Sequence, residues 1–142
     1  MSESPITNYL AYLVAQAHRR LHVDLQRSLQ EEGAQVEQWR VLEVLSDGRG
    51  RSMGDLADLV LMNHPTLTKM TDRMVAKGLV HRAPDEEDQR RVLVYITDLG
   101  LELFERIKSR VDTQNNALED HLGEREAAAL RQLLERVIAH EG

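Results

Sequence analysis

The sequence predicts a mainly α-helical protein with a small β-hairpin wing: a winged helix-turn-helix core flanked by long N- and C-terminal dimerisation helices. Apolar residues recur at helical spacing over long segments at both ends. Between them, two short helices come in succession, and a single hairpin follows directly. We expect one domain over 1–142, with a winged-helix lobe over about 36–97 and a helical lobe over about 5–32 and 98–140.

Composition narrows the class of protein. Hydrophobic residues make up 42% of the chain and charged residues 30%, a balance typical of globular proteins. No apolar run approaches the ~18–20 residues of a membrane span, and the first ten residues lack the basic and apolar regions of an export signal. We therefore expect a cytoplasmic protein with no membrane partner. The absence of cysteine excludes disulfides and a thiol redox switch.

A long helix is expected near the N-terminus, between Ser4-Pro5 and Gly33. Pro5 suits a first helical turn, and Gly33 suits a helix end. A shorter helix follows over about 36–46. The apolar residues of the long helix recur every three or four positions, as one face of a helix requires. They are Leu10, Leu13, Val14, Ala17, Leu21, Leu25 and Leu29.

Two short helices then form a helix-turn-helix candidate. Ser52 can cap the first helix, and Asn63 can cap the second, which is expected over 63–77. Pro65 falls in the first turn of the second helix, where a missing N–H costs little. Gly78 suits the end of that helix.

After Gly78 the apolar residues no longer recur at helical spacing. Residues 79–83 and 92–96 are rich in apolar and β-branched side chains and flank the polar stretch 84–91. This pattern predicts a β-hairpin with an exposed, charged tip. Thr97 or Asp98 can then cap a second long helix, and a further leucine-rich helix follows to the end of the chain.

The two helical arms predict a homodimer. A helix of about 25 residues is roughly 37 Å long, so its far end exposes a leucine stripe unless something covers it. Large exposed apolar patches mark interfaces, and the arms can cover one another across a two-fold axis. The alternative is an intramolecular bundle in which every stripe faces one core.

The face of the 63–77 helix opposite its apolar stripe carries hydroxyls and cations. Such side chains can bond base edges and neutralise phosphates in a DNA major groove. Although the net charge is −6, residues 63–83 hold four Lys or Arg against one acid. The alternative is the solvated face of an ordinary surface helix. The candidate DNA contacts of this helix are His64, Pro65, Thr66, Thr68, Lys69 and Arg73.

The hairpin favours the DNA interpretation because it follows the helix-turn-helix directly and its tip holds Arg90 and Arg91. An arginine on such a tip can enter the minor groove, where narrow A·T-rich stretches concentrate negative potential. The tip also contains four acids, which repel phosphate when free. We therefore expect Asp88 to pair with a nearby arginine and to hold the tip in shape.

These segments resemble the MarR family of regulators. Residues 56–80 are similar to the family's recognition region, notably Thr66-Leu67-Thr68-Lys69 and the run from Asp72 to Val80. Residues 84–100 are similar to its wing and wing exit. The resemblance implies a dimeric winged-helix regulator, most often a repressor, that binds a pseudo-palindromic operator and releases it when a small molecule binds. It places Thr66, Thr68, Lys69 and Arg73 at DNA-contacting positions, Arg90 at the wing arginine and Asp88 at a structural acid.

The resemblance also implies an effector pocket between the dimerisation helices and the winged-helix core, for an aromatic acid, a phenolic compound or a CoA thioester. Trp39 can equally be a core residue, and His18 and Arg19 can equally be solvated or at the dimer seam. The candidate pocket residues are Tyr9, His18, Arg19 and Trp39.

No enzyme is predicted. The histidines lack metal-ligand spacing, and no Gly-rich phosphate loop or nucleophile elbow appears, so we expect no catalytic residue, metal or cofactor. The alternative function is a helical protein-interaction module without DNA binding. The two differ in one property: DNA binding weakens steeply with salt, because neutralising phosphates releases counterions.

Overall fold

The computed structural model describes residues 5–142, so Ser4, next to the predicted start of the first helix, lies outside the described residues. Six helices and an antiparallel hairpin in that range confirm the predicted fold class. No helix in that range is long and apolar enough to cross a membrane. The elements are a 3₁₀ turn Pro5–Asn8, helices α1 Leu10–Gln30, α2 Val36–Leu45, α3 Met53–Val60 and α4 His64–Ala76, strands β1 Val80–Pro84 and β2 Val92–Ile96, and helices α5 Asp98–Leu122 and α6 Glu124–Ala139.

Short polar side chains set where several helices begin. The side-chain oxygens of Ser52, Asn63 and Thr97 each accept a hydrogen bond from the backbone N–H three residues on, at 3.0 to 3.2 Å. These bonds satisfy donors that have no partner within the helix. Pro5 forms the 3₁₀ turn instead of the first turn of α1, which begins five residues later.

The wing is a two-stranded antiparallel sheet in which Val80 lies opposite Ile96 and Pro84 lies opposite Val92. One further residue joins it: Arg51, before α3, exchanges backbone hydrogen bonds of 3.0 and 2.8 Å with Val94. This single bridge, which the sequence did not predict, attaches the wing to the turn between α2 and α3.

The core lies where α1, α2 and α5 meet the helix-turn-helix and the root of the wing. Leucine, valine, methionine, isoleucine and alanine build most of it, together with Phe104. Its largest fully buried side chains include Leu29, Leu42, Leu45, Leu56, Leu67, Met74 and Ile107.

The helical arms leave apolar surface uncovered. Helix α6 has no buried residue at all, although one of its faces is rich in leucine and valine. The outer part of α1 shows the same property, with Leu10 79% exposed. The exposed apolar residues of these two helices are Leu10, Leu13, Val14, Leu21, Val23, Leu130, Leu133, Leu134, Val137 and Ile138.

The buried hydroxyl of Thr71 should lower the stability of the protein. It is fully buried on the core side of α4, and its hydroxyl has no hydrogen-bond partner among residues 5–142. An unpartnered buried hydroxyl costs about 1–3 kcal/mol. Valine has the same shape without the hydroxyl, so we expect Thr71→Val to raise the free energy of unfolding by about 1 kcal/mol in urea denaturation. Thr71→Ser is the control and should destabilise; a less stable valine variant would contradict the assignment.

Candidate nucleic-acid interface and adjoining cavity

Helix α4 presents two different faces. Leu67, Met70, Thr71 and Met74 are buried against the core, which fixes the rotation of the helix about its axis. All six predicted contact residues therefore lie on the exposed side. They are His64, Pro65, Thr66, Thr68, Lys69 and Arg73.

The exposed face of α4 carries two cations that form no ion pair with any residue from 5 to 142. Lys69 and Arg73 make no ion pair within the described part of the chain. The acid on this helix, Asp72, is bound by Arg82 of β1 at 2.6 Å. Thr68 donates its hydroxyl proton to the His64 carbonyl oxygen at 2.9 Å, so its oxygen remains available only as an acceptor. The face can therefore attract phosphate and accept a hydrogen bond from a base.

Asp88 organises the tip of the wing. Its carboxylate accepts hydrogen bonds from the backbone N–H and the Nε of Arg90, both at 3.1 Å. The bond from the Arg90 side chain, followed by that from its backbone, lowers the pKa of Asp88. Arg90 itself is held at one edge only and keeps its side chain 91% exposed. The arrangement leaves the guanidinium ready for an external anion.

The other charged side chains of the tip differ in whether they form an ion pair. Arg91 lies 3.9 Å from the Asp85 carboxylate, whose side chain is largely buried. Arg91 is thus directed towards the hairpin, whereas Arg90 projects from it. Glu86 and Glu87 are exposed and make no ion pair with any described residue. Two of the four acids are therefore matched by arginine, and two remain as free negative charge.

A cavity of about 290 Å³ lies between α1, α2 and α5. Of the four predicted pocket residues, the structure brings His18 and Trp39 together in its wall. Tyr9 and Arg19 lie outside it. Tyr9 occupies the N-cap position of α1 without a side-chain capping bond, and Arg19 belongs to a groove on another face of that helix. The apolar part of the wall comes from Leu21, Leu25, Val36, Val111 and Leu118.

Arg40 is the cation of this cavity, and the sequence reasoning missed it. Its guanidinium Nη1 donates to the Val60 carbonyl oxygen at 3.3 Å, and it has no carboxylate partner among the residues described. The neighbouring Trp39 has a buried indole N–H that lacks a hydrogen-bond partner within 5–142. A half-buried guanidinium that forms no ion pair with the described residues, beside an indole, suits a ligand with a ring and a negative group.

His22 and Glu37 join α1 to α2 at the edge of the cavity, with Nε2 and Oε1 3.0 Å apart. Partial burial by itself raises the pKa of Glu37. The hydrogen bond from His22, a backbone hydrogen bond and the charges of His22 and Arg40 outweigh burial and lower that pKa. Glu37 is thus an ionised group shared between the cavity rim and a groove that also contains Lys69 and Arg73 of α4.

Comparison with known proteins points to one family. A family model described as MarR family matches residues 33–91 of the chain. The HTH-type transcriptional regulator FarR of Neisseria gonorrhoeae is 32% identical over 119 residues, which cover 84% of this chain and 82% of that protein.

Solved structures extend the likeness over nearly the whole chain. NadR in complex with 4-hydroxyphenylacetate matches with a TM-score of 0.81 and 28% identity, covering 99% of this chain and 100% of the other. A mutant MarR from E. coli in complex with operator DNA matches with a TM-score of 0.81 and 28% identity, covering 90% and 92% of the two chains. The similarity includes both the helical arms and the winged-helix lobe.

Proposed function

Because this chain belongs to the MarR family of transcriptional regulators, we propose that it is a repressor that binds a pseudo-palindromic operator as a homodimer and releases it when an aromatic acid binds. We place its action on DNA in the cytoplasm and assign it no catalytic reaction. The observation that carries the proposal is the unpaired cationic face of α4 beside a wing whose arginine projects from the tip.

The charges of the two elements support DNA reading. Lys69 and Arg73 offer long cations on a helix that can enter the major groove, and Thr66 is exposed in its first turn. Arg90 supplies a cation on a hairpin, the geometry suited to an adjacent minor groove. The similar MarR structure with operator DNA supports the same use of this fold.

The exposed apolar faces of α1 and α6 support the dimer. A helix without a buried residue, such as α6, gains little from folding alone, since most helical stability comes from packing an apolar face. A second copy covers both arms across a two-fold axis and places two reading helices on paired half-sites. Sedimentation at micromolar concentration tests this, and a monomer mass would contradict it.

The salt dependence of DNA binding tests the proposal. We expect duplexes selected from a random pool to bind with an affinity that falls linearly on a log–log plot against salt. Lys69→Ala should weaken binding and reduce the magnitude of the slope by about 1, because one phosphate contact is lost. Arg125→Ala, in α6, is the charge-matched control. Binding that is absent at low salt, or indifferent to salt, would favour a helical protein-interaction module.

The two free acids of the wing tip should restrain DNA affinity. Glu86 and Glu87 are exposed beside Arg90, so they repel an approaching phosphate. We expect the double variant Glu86→Gln/Glu87→Gln to bind the selected duplex about threefold tighter at low salt, with a smaller gain at high salt. Glu124→Gln/Glu126→Gln in α6 should leave the affinity unchanged. Weaker binding of the wing variant would show that these carboxylates help to shape the tip.

The cavity supports an aromatic acid as the effector. An aromatic ring can lie against Trp39, while a carboxylate can meet Arg40 with His18 nearby. The similar NadR structure holds 4-hydroxyphenylacetate, a molecule of this chemistry. The volume of about 290 Å³ suits one small ring better than a whole CoA thioester.

Two titrations test the effector. Trp39 is the only tryptophan of the chain, so quenching or a shift of its fluorescence reports binding in the cavity without DNA. We expect 4-hydroxyphenylacetate and related aromatic acids to change this signal and to release a labelled duplex. Their CoA thioesters form the comparison series. The effector assignment fails if neither series changes the fluorescence or the DNA complex.

A further inference from the structure

Arg40 faces two parts of the molecule. It lines the cavity between α1, α2 and α5, and its Nη1 donates to the carbonyl oxygen of Val60 at 3.3 Å. Val60 is the last residue of α3, and carbonyls in the last turn of a helix have no partner within it. The side chain that supplies the positive charge of the cavity therefore also caps the first helix of the helix-turn-helix.

The turn that follows Val60 is strained. Leu61 adopts φ 62° and ψ 43°, and it is the only non-glycine residue with positive φ in the range 5–142. This left-handed conformation crowds a Cβ atom against the backbone and persists only where surrounding contacts impose it. Asn63, two residues later, caps the DNA-reading helix α4. The shape of this turn thus sets how α4 leaves α3.

An anion that enters the cavity would compete with the Val60 carbonyl oxygen for the Arg40 guanidinium. A guanidinium binds a carboxylate more strongly than a neutral carbonyl, and often with two parallel bonds. We propose that Arg40 is a positioning residue that holds the α3–α4 turn in its DNA-reading shape, and that an effector carboxylate weakens operator binding by drawing Arg40 away from Val60. This inference rests on the proposed function and specifies how its cavity controls its DNA interface.

Removing Arg40 should imitate the effector. Without any ligand, we expect Arg40→Met to bind the selected duplex about threefold to tenfold more weakly, the loss that corresponds to one hydrogen bond. Hydrogen exchange should also become faster at the backbone amides of residues 61–64, 66 and 67. Arg27→Met removes the same charge from an exposed side chain near the end of α1 and should change neither measurement. Duplex affinity and exchange rates equal to those of the parent chain would overturn the proposal.

A second substitution in the turn separates positioning from simple loss of charge. Glycine adopts positive φ without strain, so Leu61→Gly stabilises the turn when Arg40 is absent. We expect Arg40→Met/Leu61→Gly to regain most of the lost duplex affinity, whereas Arg40→Met/Leu61→Ala, which keeps a Cβ atom, stays weak. If both double variants remain equally weak, Arg40 acts through its charge and the proposal is wrong.

The response to a ligand distinguishes failure of this inference from failure of the proposed function. In Leu61→Gly with Arg40 intact, 4-hydroxyphenylacetate should change Trp39 fluorescence at the same concentration as in the parent chain but release several-fold less duplex. Unchanged binding with undiminished release would overturn the coupling and leave the cavity assignment standing. A fluorescence signal that does not change in the parent chain would refute the effector cavity, while the ligand-free variants still decide the role of Arg40.

Discussion

Arg90→Ala should weaken binding of the dimer to its selected operator by about 1–3 kcal/mol, while the free energy of unfolding and the dimer mass stay unchanged. The Arg90 side chain is 91% exposed, so the fold does not depend on it. Its loss removes the cation that the hairpin projects towards the minor groove, where the potential is most negative. Fluorescence anisotropy with the selected duplex measures the effect, and Arg125→Ala controls for total charge.

The role of Asp88 follows from a double-mutant cycle with Arg90. Because Asp88 binds both the backbone and the side chain of Arg90, Asp88→Ala should release the arginine from its fixed direction and weaken operator binding. The same substitution should have little effect when Arg90 is already alanine, since nothing remains to be positioned. If Asp88→Ala tightens binding instead, the carboxylate acts only as a repulsive charge.

Elements set by neighbouring residues could be predicted from the sequence. The caps at Ser52 and Asn63, the end of α4 before Gly78 and the β-hairpin depend on signals within a few positions. The bridge between Arg51 and Val94 depends on two single residues far apart in the chain, so it leaves no periodic pattern.

The residues of the cavity could be predicted only in part, because some of them depend on contacts between distant parts of the chain. His18 and Arg19 are adjacent in α1, but only His18 lines the cavity, whereas the adjacent residues Trp39 and Arg40 of α2 both line it. Helical spacing alone therefore could not decide which neighbour reaches the cavity. That Arg40 lacks a carboxylate partner and meets Val60 is a property of three packed helices. No spacing in the sequence reveals it.

Gly100→Ala should destabilise the protein by about 3 kcal/mol, the largest stability loss that we predict. Gly100 lies in the first turn of α5, where a Cβ atom would collide with the Leu79 carbonyl oxygen and come within 3.0 Å of the Ile96 side chain. The Leu79 oxygen is backbone and also accepts a hydrogen bond from the Thr97 N–H at 3.1 Å, so it cannot move aside without loss of that bond.

The contrast with Gly54 makes this prediction decisive. Gly54 lies in α3, and a Cβ atom added there would meet no atom within 4 Å outside its own helix backbone and chain neighbours. Gly54→Ala should therefore stabilise the chain by about 0.5–1 kcal/mol through helix propensity alone. If the two substitutions change the free energy of unfolding in urea in opposite directions, close packing, and not helix propensity, demands glycine at position 100.

Gly100→Ala should also weaken operator binding, because α5 forms a wall of the cavity and begins where the wing ends. A stabilised Gly100→Ala would contradict the close approach of α5 to the backbone of Leu79.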